Sequence, residues 1–117
     1  MTPPVFVCAA GQLESDRITL AGPEGRHATT VRRLAPGERV DVTDGAGLLA
    51  RCEVLAARPG QGELDLLVLE RRAEAEPACR VVVVQAIVKG DRGELAVELM
   101  TEAGVDEIVP WAAERCV

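Results

Sequence analysis

Residues 80–111, RVVVVQAIVKGDRGELAVELMTEAGVDEIVPW, constrain the fold more than any other stretch of this chain. Residues 81–84 and 86–88 form an apolar, mostly β-branched run interrupted only by Gln85. A run without in/out alternation predicts a strand covered on both faces, as in a parallel sheet. Lys89-Gly90 ends it, and Asp91 then stands three residues before Glu94, the pattern of a helix whose first turn is capped by a side chain. Leu95, Leu99 and Met100, with Ala96 and Ala103 beside them, predict the apolar face of that helix, and Glu94, Glu98 and Glu102 its wet face. Gly104 occupies the place of a left-handed C-cap. Residues 105–109 resume extended character until Pro110 stops it. Strand, helix and strand in this order make a βαβ unit, with a right-handed crossover.

The chain before this unit reads differently. Residues 5–9 (VFVCA) and 18–20 predict two short strands, and residues 21–25 (AGPEG) a breaker cluster. A helix follows, in which His27, Val31 and Leu34 share one face while Arg26, Thr29 and Arg33 point elsewhere. After a turn at residues 35–38, Val40 and Val42 alternate with polar residues, and Asp44-Gly45-Ala46-Gly47 is a hairpin signal. Ala50, Cys52, Val54 and Ala56 alternate in the return strand, and Leu64, Leu66 and Val68 in the next. Short alternating strands joined by strong turns predict a small antiparallel barrel or sandwich. Residues 71–77 (RRAEAEP) are charged, lack periodicity and end in Pro, which places a linker there. The expected fold is thus α+β followed by α/β: a β-barrel module over residues 1–73, a linker over 74–78, and a βαβ unit over 79–117. One βαβ unit leaves its two strands with few sheet partners, so the second part is expected to be incomplete and the natural protein to continue beyond Val117.

Composition narrows the function classes. With 48% hydrophobic residues the chain buries a core, no apolar run reaches the roughly 20 residues of a membrane span, and the N-terminus has no signal-peptide pattern, so a cytoplasmic protein is expected. Cys8, Cys52, Cys79 and Cys116 are far apart and His27 is the single histidine, so no zinc spacing exists and buried thiols are expected. A net charge of −6 argues against indiscriminate nucleic-acid binding but leaves room for a local basic face. Of the 13 basic residues only Lys89 is lysine, a bias that suits forked contacts to phosphate.

The order of His27…Val31-Arg32-Arg33-Leu34, Pro36-Gly37-Glu38, Asp44-Gly45-Ala46-Gly47, Gln85-Ala86…Lys89-Gly90-Asp91-Arg92, Thr101-Glu102-Ala103-Gly104-Val105, Ile108-Val109-Pro110 and Glu114-Arg115-Cys116 resembles the RsmE family. Those are 16S ribosomal RNA methyltransferases that use S-adenosylmethionine to methylate N3 of one uridine. The resemblance implies a PUA-like β-barrel that grips RNA, then the start of a SPOUT-type α/β domain. In the family a C-terminal knot binds the methyl donor and forms most of a homodimer contact. The Gly-rich segments of that knot are expected beyond Val117, and the segment GDRGE is neither a dinucleotide fingerprint nor a phosphate loop. This stretch alone is therefore expected to bind no S-adenosylmethionine and to transfer no methyl group. The partner implied is 16S rRNA in the small ribosomal subunit, with no membrane. A stand-alone, non-catalytic RNA-binding or adaptor module is the alternative from another class, and a structural α/β protein the blandest.

The candidate RNA-binding residues are Arg26, His27, Arg32, Arg33, Lys89 and Arg92. The first four form either a phosphate-gripping patch or a solvated helix face, and His27 either packs or touches RNA. Lys89 and Arg92 follow the C-terminal end of the central strand, where ligands of open α/β sheets gather, or merely flank a turn. Gln85 either bonds across a domain seam or takes an exposed strand position. Asp44, Gly45 and Gly47 read as a turn, and Arg115 is assigned no task. Phe6 and Trp111 are the only aromatics, so RNA contact is expected at backbone and shape rather than by aromatic stacking. No catalytic base and no metal ligand is assigned.

Overall fold

The computed structural model describes residues 2–115, which form two compact units, Met1–Glu76 and Pro77–Val117. The first unit is built on five strands: β1 (Val5–Val7), β2 (Arg17–Leu20), β3 (Arg39–Thr43), β4 (Leu48–Arg58) and β5 (Glu63–Ala73). They make one sheet in the order β1-β3-β4-β5-β2. All neighbours are antiparallel except β1, which runs parallel to β3 at one edge, so the expectation of an antiparallel module holds for four strands only. Residues from both edge strands, Phe6 on β1 and Ile18 and Leu20 on β2, join a single core with Val40, Val42, Val54, Leu64 and Leu66. The sheet therefore curls around its own interior.

Two bulges in the long β4–β5 pair produce this curl. Between Arg51↔Glu70 and Cys52↔Val68 the extra residue is Leu69, and between Val54↔Leu66 and Ala56↔Asp65 it is Leu55. Both leucines turn outward and are exposed. The bulge at Leu55 also shifts the inward phase, so Ala57 rather than Ala56 packs against the core. The β3–β4 turn is locked by Asp44, whose Oδ1 accepts from the amides of Ala46 (2.8 Å) and Leu48 (3.0 Å). These backbone donors hold its carboxyl below the usual carboxylate range. At the far end β5 runs on through Arg71, Arg72 and Ala73, paired with Ala50, Leu49 and Leu48. The linker reading of residues 71–73 is corrected: charge patterning there marks an exposed strand end, because ladder bonds do not require apolar side chains.

Residues 21–25, expected to break the chain, instead begin a helix. Helix α1 (Gly22–Arg26) has proline in its first turn, where no amide donor is missed, and passes directly into a π-helical turn (His27–Val31). The buried side of this segment is Gly25, Ala28 and Thr29, with Leu34 after it, whereas His27 and Val31 face outward.

The second unit pairs β6 (Val82–Ala86) with β7 (Glu107–Trp111) in parallel, joined by α2 (Arg92–Glu102), as the βαβ reading requires. Gly104 follows the helix at φ 81°, the left-handed cap. Asp91 stands at the N-cap without a side-chain bond to the first turn, contrary to the capping expectation. Nor is β6 covered on both faces among the described residues, since Val82 and Val84 are exposed. Leu95 and Leu99 are exposed as well, while Gly93, Ala96 and Met100 are half-buried. The apolar residues of α2 thus occupy two sides of the helix, one more than a single sheet needs. No helix is long and apolar enough to cross a membrane among the described residues. Cys8 and Cys52 are buried thiols, Cys79 is exposed against expectation, and Cys116 lies outside the described residues.

Candidate RNA-binding face and strand-end groove

The first-unit candidates sit on a helical segment with unusual backbone. Arg32 donates its amide to the carbonyl of His27 at 2.9 Å, five residues back, and Leu34 reaches Ala28 at 3.1 Å. The widened turn frees carbonyls that the threonines then occupy: Thr29 Oγ1 donates to Gly25 O (2.8 Å) and Thr30 Oγ1 to Arg26 O (2.6 Å). Arg33 closes the segment at φ 52°, the only positive φ outside glycine among the described residues. A left-handed conformation costs a residue with a Cβ roughly 1–2 kcal/mol. Single π turns and strained non-glycine residues gather at functional sites. Sequence periodicity missed this because it assumes 3.6 residues per turn; the adjacent Thr29-Thr30 pair was its available signal.

The segment is held from below by a close approach. A Cβ on Gly25 would lie 2.2 Å from Gly62 O and 2.5 Å from Leu20 O, so only glycine lets the helix touch β2 and the β4–β5 turn together. Gly62 in turn has φ +66°, and a Cβ there would meet Cγ of Arg26 at 2.5 Å. The aliphatic stem of Arg26 therefore lies across the β4–β5 turn with its head group in solvent. His27 packs on Phe6, ring centroids 6.1 Å apart at 71°. It is exposed, and of the two readings of His27 the packing one takes the form of an edge contact with the core that leaves the ring open to solvent.

Ion pairing sorts the basic residues. Arg39, Arg51, Arg58, Arg71, Arg72 and Arg80 each hold a carboxylate. Arg58 bridges Glu63 and Asp65, which holds the Asp65 carboxyl down and raises the guanidinium further. Arg26, Arg32, Arg33, Lys89 and Arg92 hold none among the described residues, a state shared only with Arg17 and Arg115. All five cationic candidates are thus uncommitted. Arg26 lies over Gly62, whereas Arg32 lines a groove beside residues 2–4, so the segment spreads its charges rather than focusing them at one point.

In the second unit, Lys89 on the loop from β6 to α2 and Arg92 at the first position of α2 are both exposed, with Gly90 between them at φ 72°. The loop borders a groove of about 540 Å³ at the C-terminal ends of both strands, walled by Gln85–Val88, Ile108 and Pro110 on one side and by Gly93, Glu94, Val97 and Glu98 of α2 on the other. Gln85 is half-buried there, its amide donating to Ala86 O at 3.2 Å, rather than simply exposed. The groove is lined by one strand pair and one helix, and no buried polar side-chain atom lacks a partner among the described residues.

Residues 20–67 match the family described as RNA methyltransferase PUA domain, and residues 74–117 the RNA methyltransferase domain. The ribosomal RNA small subunit methyltransferase E of Mycobacterium bovis is 51% identical over 96 residues, 82% of this chain. The chain belongs to the RsmE family. The Bacillus subtilis member is 27% identical over 105 residues. This chain spans 36% and 40% of the lengths of those two family members. A Porphyromonas gingivalis structure described as a probable rRNA methyltransferase superposes at TM-score 0.69 with 28% identity, over 97% of this chain and 47% of that one. A Neisseria gonorrhoeae methyltransferase E structure, described as bound to S-adenosyl methionine, has the same fold at TM-score 0.75 with 23% identity, over 99% of this chain and 48% of that one.

Proposed function

We propose that the chain is the RNA-gripping part and the opening of the catalytic domain of an S-adenosylmethionine-dependent enzyme that methylates N3 of a uridine in 16S rRNA. The whole protein works as a homodimer in the cytoplasm on the small ribosomal subunit, and the 117-residue stretch is inactive alone. One observation carries the RNA part: all five cationic candidates are without a carboxylate partner among the described residues, whereas six other arginines each hold one. An uncommitted guanidinium binds phosphate without first breaking an ion pair, so such residues dominate counterion release. Arg26, Arg32 and Arg33 position the RNA backbone, with His27 at the edge of that contact. Lys89 and Arg92 approach either the backbone or the negative charge that uracil develops as its N3 proton leaves. The methyl group itself comes from S-adenosylmethionine, held by parts of the protein outside this stretch.

Filter binding to 16S rRNA across a salt series tests the RNA part. Arg32→Gln with Arg33→Gln should make the slope of log affinity against log salt shallower by about 1–2, each lost phosphate contact removing roughly 0.7–0.9. An unchanged slope assigns both residues to a solvated face. Methyl transfer from labelled donor by the whole protein, with none by this stretch, is the matching result for the enzyme part.

A further inference from the structure

The groove beside the strained segment offers a second kind of contact. It encloses about 390 Å³ between residues 2–4 and the end of the π turn, within the range of small-ligand sites. Its apolar lining is Pro3, Pro4, Val31 and Leu34. Val31 is 68% exposed although it is β-branched and lies on a helical segment. It stands on the outward side of the segment with His27, next to the five-residue hydrogen bond from Arg32 to His27. Arg32 stands beside it without an ion pair among the described residues, and Arg39 across the groove is paired with Glu53 at 3.2 Å. Glu38 completes the wall, with Oε2 accepting from the Ala35 amide at 2.6 Å and Oε1 without a donor among the described residues.

These features together select an occupant. A free phosphate has no use for the apolar floor and is repelled by Glu38. A nucleotide unit presents an anionic phosphate to Arg32, a ribose and base edge to the prolines and Val31, and base N–H donors to a carboxylate oxygen. Such a unit is reachable only when its base is unstacked, as in a loop, bulge or single strand. We propose that this groove seats one unpaired nucleotide of the bound RNA, Val31 and the prolines contacting its sugar and base and Arg32 its phosphate. The proposal rests on the RNA-binding reading and adds to it a preference for unpaired RNA.

The test uses this chain with two fluorescent probes, a uridine hexamer and a 16-base-pair RNA duplex, read by anisotropy. Val31→Asn removes the apolar contact without adding charge, at a position exposed enough to leave folding intact. Affinity for the hexamer should fall about 5-fold, roughly 1 kcal/mol, with duplex affinity within about 2-fold of the parent. Hexamer titration should also move the amide resonances of Val31, Arg32 and Leu34. Equal losses on both probes, or no loss on the hexamer, or shifts confined to other residues, overturn the nucleotide seat while the RNA-binding reading stands. If the parent chain binds neither probe, both fall together.

Discussion

Gly25→Ala tests the packing that presents the cations. In an ordinary helix interior this exchange stabilises by up to about 1 kcal/mol, because alanine has the higher helix propensity. Here the new methyl would stand 2.2 Å from Gly62 O and 2.5 Å from Leu20 O, against an ordinary contact distance that begins at 3.4 Å. Relief requires a displacement of about 1.2 Å (3.4 minus 2.2), and both obstacles are backbone, one in the β4–β5 turn and one at the end of β2. Lifting the helix opens the burial of Ala28 and Thr29 beneath it. Overpacking costs typically 1–3 kcal/mol, so the expected loss is about 1–3 kcal/mol. For a domain of this size that lowers Tm by roughly 5–25 °C. Far-UV circular dichroism follows the loss, while fluorescence of Trp111, the single tryptophan and a residue of the second unit, serves as an internal reference. An unchanged or higher Tm would refute the clamp, and with it the account of how the π turn is held in place.

Arg33→Gly separates function from stability. Removing the left-handed strain gains roughly 1–2 kcal/mol, and glycine's greater freedom in the unfolded chain takes back about 0.5–1, so Tm should hold or rise slightly while rRNA affinity falls. A clear loss of stability would show that Arg33 is structural. Asp65 is held below its ordinary range, first by Arg58 and then by Thr19. A depressed carboxylate contributes stability above its unfolded value of about 3.9 that is lost as pH falls through the folded one, so Asp65→Asn should flatten the acid limb of a stability–pH curve. An identical limb in parent and variant would dismiss the pair as an exposed bystander. Burial pushes the Cys52 thiol up to about 11, with Asp41 adding to the shift, and raises Cys8 as well. Peptide mapping after maleimide treatment at pH 7 should find Cys79 labelled in the folded chain, and Cys8 and Cys52 only after unfolding.

Much of this architecture was legible in the residues taken in order. The βαβ order around Lys89-Gly90, the turn at Asp44-Gly45, the cap at Gly104 and the alternation from Val40 to Val68 all follow from contacts between residues close in sequence. The candidate set held five of the seven cations uncommitted among the described residues and left out Arg17 and Arg115, while arginines such as Arg39 and Arg51 meet Glu53 and Glu70 on the strand opposite. What local pattern could not reach was decided by long-range packing. The parallel seat of β1 on β3 and the phase shift at Leu55 each depend on a partner strand. Gly25 is the clearest case: nothing beside it in sequence distinguishes it from a breaker, and only Leu20 and Gly62 pressing from two sides make it the point on which the helix rests. Periodicity records which side chains prefer to be buried, whereas close approach between backbones is a property of the assembled sheet.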